Sequence, residues 1–176
     1  MKKRPYFDRT IVACNYKPPI DHLVLALKFG HRLGLAKAFA KELRNQISYM
    51  SQEALPDLIC PIPLGAQRLA ARGFNQSLEI ARPLGNDLGI PVRYNLLLRL
   101  RDTLQQSSLH PDARHKNVKN AFTVNPEMCS LIRGRHVAIV DDVITTGTTL
   151  NEAAKVLKRF GANKVTNFVF ARTIWL

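Results

Sequence analysis

The chain has 176 residues, enough for one domain with a full core and little more. Hydrophobic residues make up 46% of it, which excludes a disordered chain, and no apolar run nears the roughly 20 residues that a membrane helix needs. With 26 Lys and Arg against 13 Asp and Glu, the net charge is +13, and a surface so basic attracts polyanions: nucleic acid, phosphorylated metabolites or anionic membrane.

Lys2, Lys3 and Arg4 start the chain like the head of a signal peptide, but Asp8, Arg9 and Asn15 interrupt any apolar stretch behind them, so no secretion signal is expected. Cys14, Cys60 and Cys129 are scattered and form no Cys-x-x-Cys pair. That spacing argues against a disulfide framework or a zinc site and fits a reducing cytoplasm.

The first periodic segment, residues 20–29, reads as a short helix with Ile20, Leu23, Val24 and Leu27 on one face. A longer helix over 34–50 comes next, through Leu35, Ala36, Phe39, Ala40, Leu43 and Ile47. Residues 57–62, an apolar run bounded by prolines, predict a strand. Residues 75–88 predict a helix with Asn75 as N-cap, Leu78, Ala81 and Leu88 facing inward, and Gly89-Ile90-Pro91 ending it. A strand is expected over 91–101 and a long mobile loop over 102–121. Residues 136–141 give the strongest strand signal, succeeded by a helix over 149–160 closing on Gly161 and a last strand over 164–171. The alternation of strands and helices from residue 57 onward predicts an α/β fold, a mainly parallel sheet with helices packed on it.

The chemistry concentrates in Val137-Ala-Ile-Val-Asp141-Asp142-Val-Ile-Thr145-Thr146-Gly147-Thr148-Thr149-Leu150. Side chains alternate along a strand, so two adjacent carboxylates mark the point where burial ends. They are expected at the carboxyl edge of the sheet, where open α/β sheets bind ligands. Gly147 permits a tight turn and close backbone approach, and the next helix opens with unpaired N–H groups and the positive end of its dipole. Threonine hydroxyls add donors. Such a loop suits a phosphate, and the carboxylates suit sugar hydroxyls or a magnesium ion. A receiver domain also pairs aspartates at a strand end, but it needs far more chain than the 34 residues beyond Asp142 here.

This stretch closely resembles the signature of type I phosphoribosyltransferases, which bind phosphoribosyl pyrophosphate (PRPP). The resemblance implies that Asp141 and Asp142 take the ribose 2′- and 3′-hydroxyls. It also implies that Thr145, Thr146, Gly147, Thr148 and Thr149 take the 5′-phosphate, and that magnesium bridges pyrophosphate and ribose. Upstream, Arg68 and Arg72 are four residues apart, so on a helix they share a face and can clamp a pyrophosphate. The segment Thr103 to Phe122 then falls where this fold carries the loop that closes over its ligand.

Taken in order, Tyr16-x-x-Pro19, Leu27-Lys28-Phe29, Arg68-x-x-x-Arg72-Gly-Phe-Asn75-Gln76, Gln106 with Arg114-x-x-Asn117 and Ala121-Phe122, the acidic-threonine loop and Arg172-Thr173 resemble the ComF family of competence-associated proteins, GntX-type members included. The resemblance spans nearly the whole chain. It implies one phosphoribosyltransferase-like domain over 1–176, with an N-terminal helical hood over 1–55 and an α/β core over 56–176. Many relatives begin with a four-cysteine zinc finger. This chain starts about where that finger would end and has no cysteine pair, so no structural zinc is expected.

Three functions suit these residues. The resemblance implies an accessory of natural transformation that handles incoming single-stranded DNA, with a replication-restart helicase or a recombination mediator as partner and without membrane insertion. Arg68, Arg72, Arg99, Arg101, Arg114, Lys116 and Lys119 supply charge for a sugar-phosphate backbone, with Phe74, Tyr94 and Phe122 as the few aromatics nearby. The second function is that of a magnesium-dependent transferase moving the phosphoribosyl group of PRPP to a nitrogen acceptor. Its acceptor pocket would have to come from the N-terminal helices, where Lys28 and His31 are the candidates. The third is that of a regulator that binds PRPP or a nucleotide without turnover. Fold alone does not choose among them.

Overall fold

The computed structural model describes residues 4–49, 55–101 and 119–173. Its centre is the strand β5 (His136–Ile144), whose Val137, Ala138, Ile139 and Val140 are wholly buried. A strand that is apolar on both faces must be covered on both, and this one is. On one edge it pairs in parallel with β6 (Lys164–Arg172), from His136 opposite Lys164 to Ile144 opposite Arg172. On the other it pairs with β2 (Leu58–Pro61), from Leu58 opposite Val137 to Pro61 opposite Val140. The strand β1 (Arg9–Asn15) adds to the far side of β6, giving an all-parallel order β1-β6-β5-β2.

Three helices cover one face: α1 (Ile20–Phe29), α2 (Gly34–Ile47) and α4 (Gln76–Leu88). Phe39 of α2 lies flat on Phe170 of β6 with ring centroids 3.6 Å apart. The other face is covered by α5 (Thr148–Arg159) and by a small antiparallel pair, β3 (Leu97–Arg99) with β4 (Phe122–Val124). A short helix, α3 (Ala66–Arg72), leads from β2 into α4, and a 3₁₀ turn over Pro126–Leu131 leads into β5. Among the described residues no helix is long and apolar enough to cross a membrane.

Several expectations are corrected here. The strand with the acidic pair does not end at 141 but runs on to Ile144, held by β6 alone. The strand expected over 91–101 shrinks to Leu97–Arg99. In α4 the inward face is Ile80, Ala81 and Leu84, while Leu78 and Leu88 are half-buried. The strand β1 lies within the stretch expected as a helical hood and joins the main sheet instead. Residues 102–118, most of the expected mobile loop, fall outside the described residues.

Candidate functional site

The site forms because β2 stops before β5 does. Ile62 N donates to Val140 O at 2.9 Å, and then Pro63, which has no N–H, cannot continue the ladder. Beyond that point one edge of β5 is open, and Asp141 and Asp142 stand at the opening. The N-terminus of α4 closes in from the side. Asn75 caps it, accepting from Ser77 N at 3.0 Å and donating from its amide to Ile62 O at 2.9 Å. Ser77 Oγ then donates to Asp141 Oδ1 at 2.9 Å, and Asp142 N donates to the same oxygen at 3.0 Å.

The two carboxyls differ electrostatically. Asp142 is only 3% exposed, and Lys28 Nζ, reaching across from α1, lies 2.6 Å from its Oδ2. Apart from that ammonium, Asp142 Oδ2 has no hydrogen-bond partner among the described residues. Burial pushes Asp142 up, but the charge and contact of Lys28, with help from Asp141 and Gln76, hold it below the usual carboxylate range. Asp141 is pushed up to about 7, first by burial and then by the neighbouring Asp142 charge, against the opposing pull of Lys28 and the Ser77 hydrogen bond.

The threonine loop turns from β5 into α5 at Gly147, whose φ of 76° lies in the left-handed region that favours glycine. As the cap residue of α5, that glycine brings no side-chain acceptor to the first N–H groups of the helix. Thr146 Oγ1 and Thr148 Oγ1 are 2.8 Å apart at the turn, and Thr145 and Thr149 line the cavity beside it.

On the opposite wall, α3 presents Arg68 and Arg72 one turn apart, as the spacing predicts. The Arg72 guanidinium sits 5.1 Å from the centroid of the Phe29 ring and donates to Gln76 Oε1. Burial lowers its pKa; Asp142 opposes that shift and Arg68 adds to it. Arg99 also faces the cavity, stacked 5.3 Å over Phe122 and donating to Pro63 O at 3.2 Å.

A cavity of about 820 Å³ thus unites the acidic pair, Thr145, Thr149, Arg68, Arg72, Lys28 and His31. His31 has a φ of 50° and packs edge-on against Phe74 at 5.9 Å. Arg101 and Lys119 lie outside the cavity, where Arg101 donates to Lys119 O. Arg114 and Lys116 fall outside the described residues. Sequence reasoning missed Ser77, named Gln76 and Thr173 only as part of a family pattern without a role, and counted Arg99 toward a nucleic-acid groove, whereas it lines this wall. Ser77 left a faint signal: it stands two residues past a capping asparagine, at a helix start aimed at the same sheet edge.

The donor set fits magnesium better than a closed metal site. Among the described residues no group of three or more His, Cys, Asp or Glu converges. Two carboxylates are the protein share expected for Mg²⁺, which takes its other oxygens from water and substrate phosphates.

Comparison with known proteins agrees with this geometry. The family described as "Phosphoribosyl transferase domain" matches residues 77–173. The DNA utilization protein YhgH of Salmonella typhi is 36% identical over 177 residues, covering 99% of this chain and 76% of its own length. Competence protein F of Haemophilus influenzae is 33% identical over 175 residues, covering 98% of this chain and 76% of its own. Among solved structures, the allosteric regulatory enzyme of purine biosynthesis superposes with a TM-score of 0.50 at 21% identity, over 76% of this chain and 25% of that one. The fold is therefore the type I phosphoribosyltransferase fold, as the sequence leads one to expect.

Proposed function

This chain belongs to the phosphoribosyl transferase domain family, among the ComF-type relatives named for DNA utilization and competence, and from that premise we propose that its cavity binds PRPP as part of a role in handling DNA during uptake. One observation carries the reading: a single cavity gathers a carboxylate pair, the threonines of a glycine-capped helix N-terminus, and a pair of arginines. In this reading the backbone and hydroxyls of Thr145 to Thr149 donate to the 5′-phosphate. Asp141 and Asp142 accept from the ribose hydroxyls, and Arg68 and Arg72 hold the pyrophosphate. Asp141 and Asp142 would also hold magnesium, whose contribution is to neutralise the pyrophosphate charge. The basic exterior, with Arg101 and Lys119 outside the cavity, serves single-stranded DNA; three unpaired cysteines, Cys60 wholly buried, agree with a reducing cytoplasm.

The test is calorimetric titration of PRPP with magnesium into the wild type and the Asp141→Asn/Asp142→Asn variant. The expected result is binding by the wild type that the variant loses while its fold and melting cooperativity persist. A well-folded wild type that binds no PRPP, or a variant that binds equally well, overturns the assignment.

A second reading is transfer of the phosphoribosyl group to a nitrogen acceptor. It is favoured by the apolar wall that Tyr16, Leu25 and Phe29 build beside the acidic pair, which gives a planar acceptor a place to lie. Release of pyrophosphate on adding candidate bases to the PRPP complex supports it, and a complex inert to all of them removes it.

A further inference from the structure

The acidic pair already has a cation. Lys28 stands on the last turn of α1, one residue after Leu27 and four after Val24, both wholly buried in the core under the sheet. Those anchors fix the helix. The turn after it is tied down as well: Gly30 N donates to Ala26 O at 2.9 Å, and a Cβ at residue 30 would lie 2.7 Å from that oxygen. The lysine is therefore aimed inward by the packing of its own helix, its side chain only 22% exposed and its ammonium 2.6 Å from the 5% exposed carboxylate of Asp142. Phe29, the next residue, rests against Arg72 and holds the same turn from the other side.

From this arrangement we infer that Lys28 is the resident counter-cation of the sugar subsite, and that the subsite accepts a ribose 5-phosphate without any divalent metal. The inference rests on the sugar-phosphate reading of the cavity and narrows it. Two adjacent carboxylates in a partly desolvated pocket need a positive charge if both are to accept from sugar hydroxyls. A metal ion is one source. Here the ammonium stands at Asp142 Oδ2, where inner-sphere coordination of magnesium would have to displace it, and magnesium gives up its own water reluctantly. Magnesium held by the pair then arrives with the pyrophosphate arm of a ligand, displacing the ammonium, and the sugar alone does not require it.

The experiment has two arms. In the first, Mn²⁺ alone is titrated into the chain and free metal is read from its paramagnetic resonance signal. Lys28→Met, which keeps the apolar stem, is expected to bind Mn²⁺ at least about tenfold more tightly than the wild type. Lys28→Arg, which keeps the charge, is expected to behave like the wild type. Equal Mn²⁺ affinity in wild type and Lys28→Met overturns the resident-cation role. In the second arm, ribose 5-phosphate is titrated calorimetrically in chelator and in magnesium. The wild type is expected to bind with affinities within about twofold, whereas Lys28→Met loses at least about tenfold in chelator and recovers in magnesium. A wild type that needs magnesium for ribose 5-phosphate overturns the metal-free subsite. A wild type that binds neither ribose 5-phosphate nor PRPP overturns the sugar-phosphate reading itself, and the Mn²⁺ comparison still decides what Lys28 does. Should Lys28→Met melt without cooperativity, Lys28→Gln replaces it in both arms.

Discussion

Asp141 and Asp142 are chain neighbours driven in opposite directions: burial and the Asp142 charge push Asp141 up to about 7, and Lys28 holds Asp142 below its ordinary range. Between the ordinary carboxylate value of 3.8 and about 7, the folded chain keeps a proton on Asp141 that the unfolded chain has lost. Stability therefore falls as pH rises through that window. For Asp142 the contribution is present above 3.8 and is lost as pH falls further. Asp141→Asn removes the first effect and keeps an acceptor for Ser77. It should melt at a higher temperature than the wild type at pH 8, by about 2–4 °C for each kcal/mol gained, and match it near pH 4. Ligand binding runs the other way, because an ionised carboxylate accepts a sugar hydroxyl more strongly than a neutral carboxyl does. Affinity for PRPP should rise from about pH 6 to about pH 8, and binding near neutral pH should release a proton, as calorimetry in buffers of different ionisation heat would read. The pair, Gly147 and the threonines were legible in the sequence because a loop beside a strand end is local. Lys28 reaching Asp142 was not, because the contact joins α1 to a strand more than a hundred residues later in the chain.

Elements were legible in proportion to the regularity of their burial. The helices α1, α2 and α5 show a helical apolar stripe and lie within a few residues of expectation. The strand β6 runs buried from Val165 to Ala171 and is apolar there except for Thr166 and Asn167. In contrast β1 is an edge strand paired only with β6, and only Ile11 of it is buried, so its polar positions hid it. The pair β3 and β4 spans three residues each, too short for any period to register. The segment after α4 is held by a constraint that periodicity cannot carry. Past Gly89 the chain turns back so that Val92 bridges Ile59, and this return passes directly over Gly85. A Cβ on Gly85 would lie 2.4 Å from Val92 Cγ2 and 2.8 Å from Ile90 O. Alanine improves helix propensity by about 1 kcal/mol, whereas overpacking against a backbone carbonyl costs about 1–3 kcal/mol. The clash should win. Gly85→Ala is expected to lower the urea midpoint without changing the slope of the transition, and a raised midpoint would mean that the return segment shifts freely.

At the scale of the whole molecule, the proposed function divides the charge of +13 between two tasks. Arg68, Arg72 and Arg99 are turned into the cavity wall, and Lys28 is committed to Asp142, so in the proposed function these cations serve a small ligand first. Arg101 and Lys119 stand on the outside, close to each other near the ends of β3 and β4, and face solvent. A single strand of DNA laid along that exterior would release condensed counterions, so the logarithm of its affinity should fall linearly with the logarithm of salt concentration, with a slope of about −0.7 per neutralised phosphate. Replacing Arg101 or Lys119 with alanine should weaken binding of a single-stranded oligonucleotide and reduce the slope by about 0.7 for each phosphate no longer neutralised. PRPP affinity should stay unchanged in both variants, because neither residue lines the cavity. Arg72→Ala separates the tasks from the other side. It should abolish PRPP binding by removing a pyrophosphate donor and leave the salt slope for DNA as it was. If Arg72→Ala flattened the slope as strongly as Arg101→Ala, the strand would enter the cavity itself, and the two ligands would compete for one basic surface. A direct competition titration, PRPP against bound oligonucleotide at fixed salt, separates these arrangements: independent binding keeps the two tasks apart, and displacement merges them.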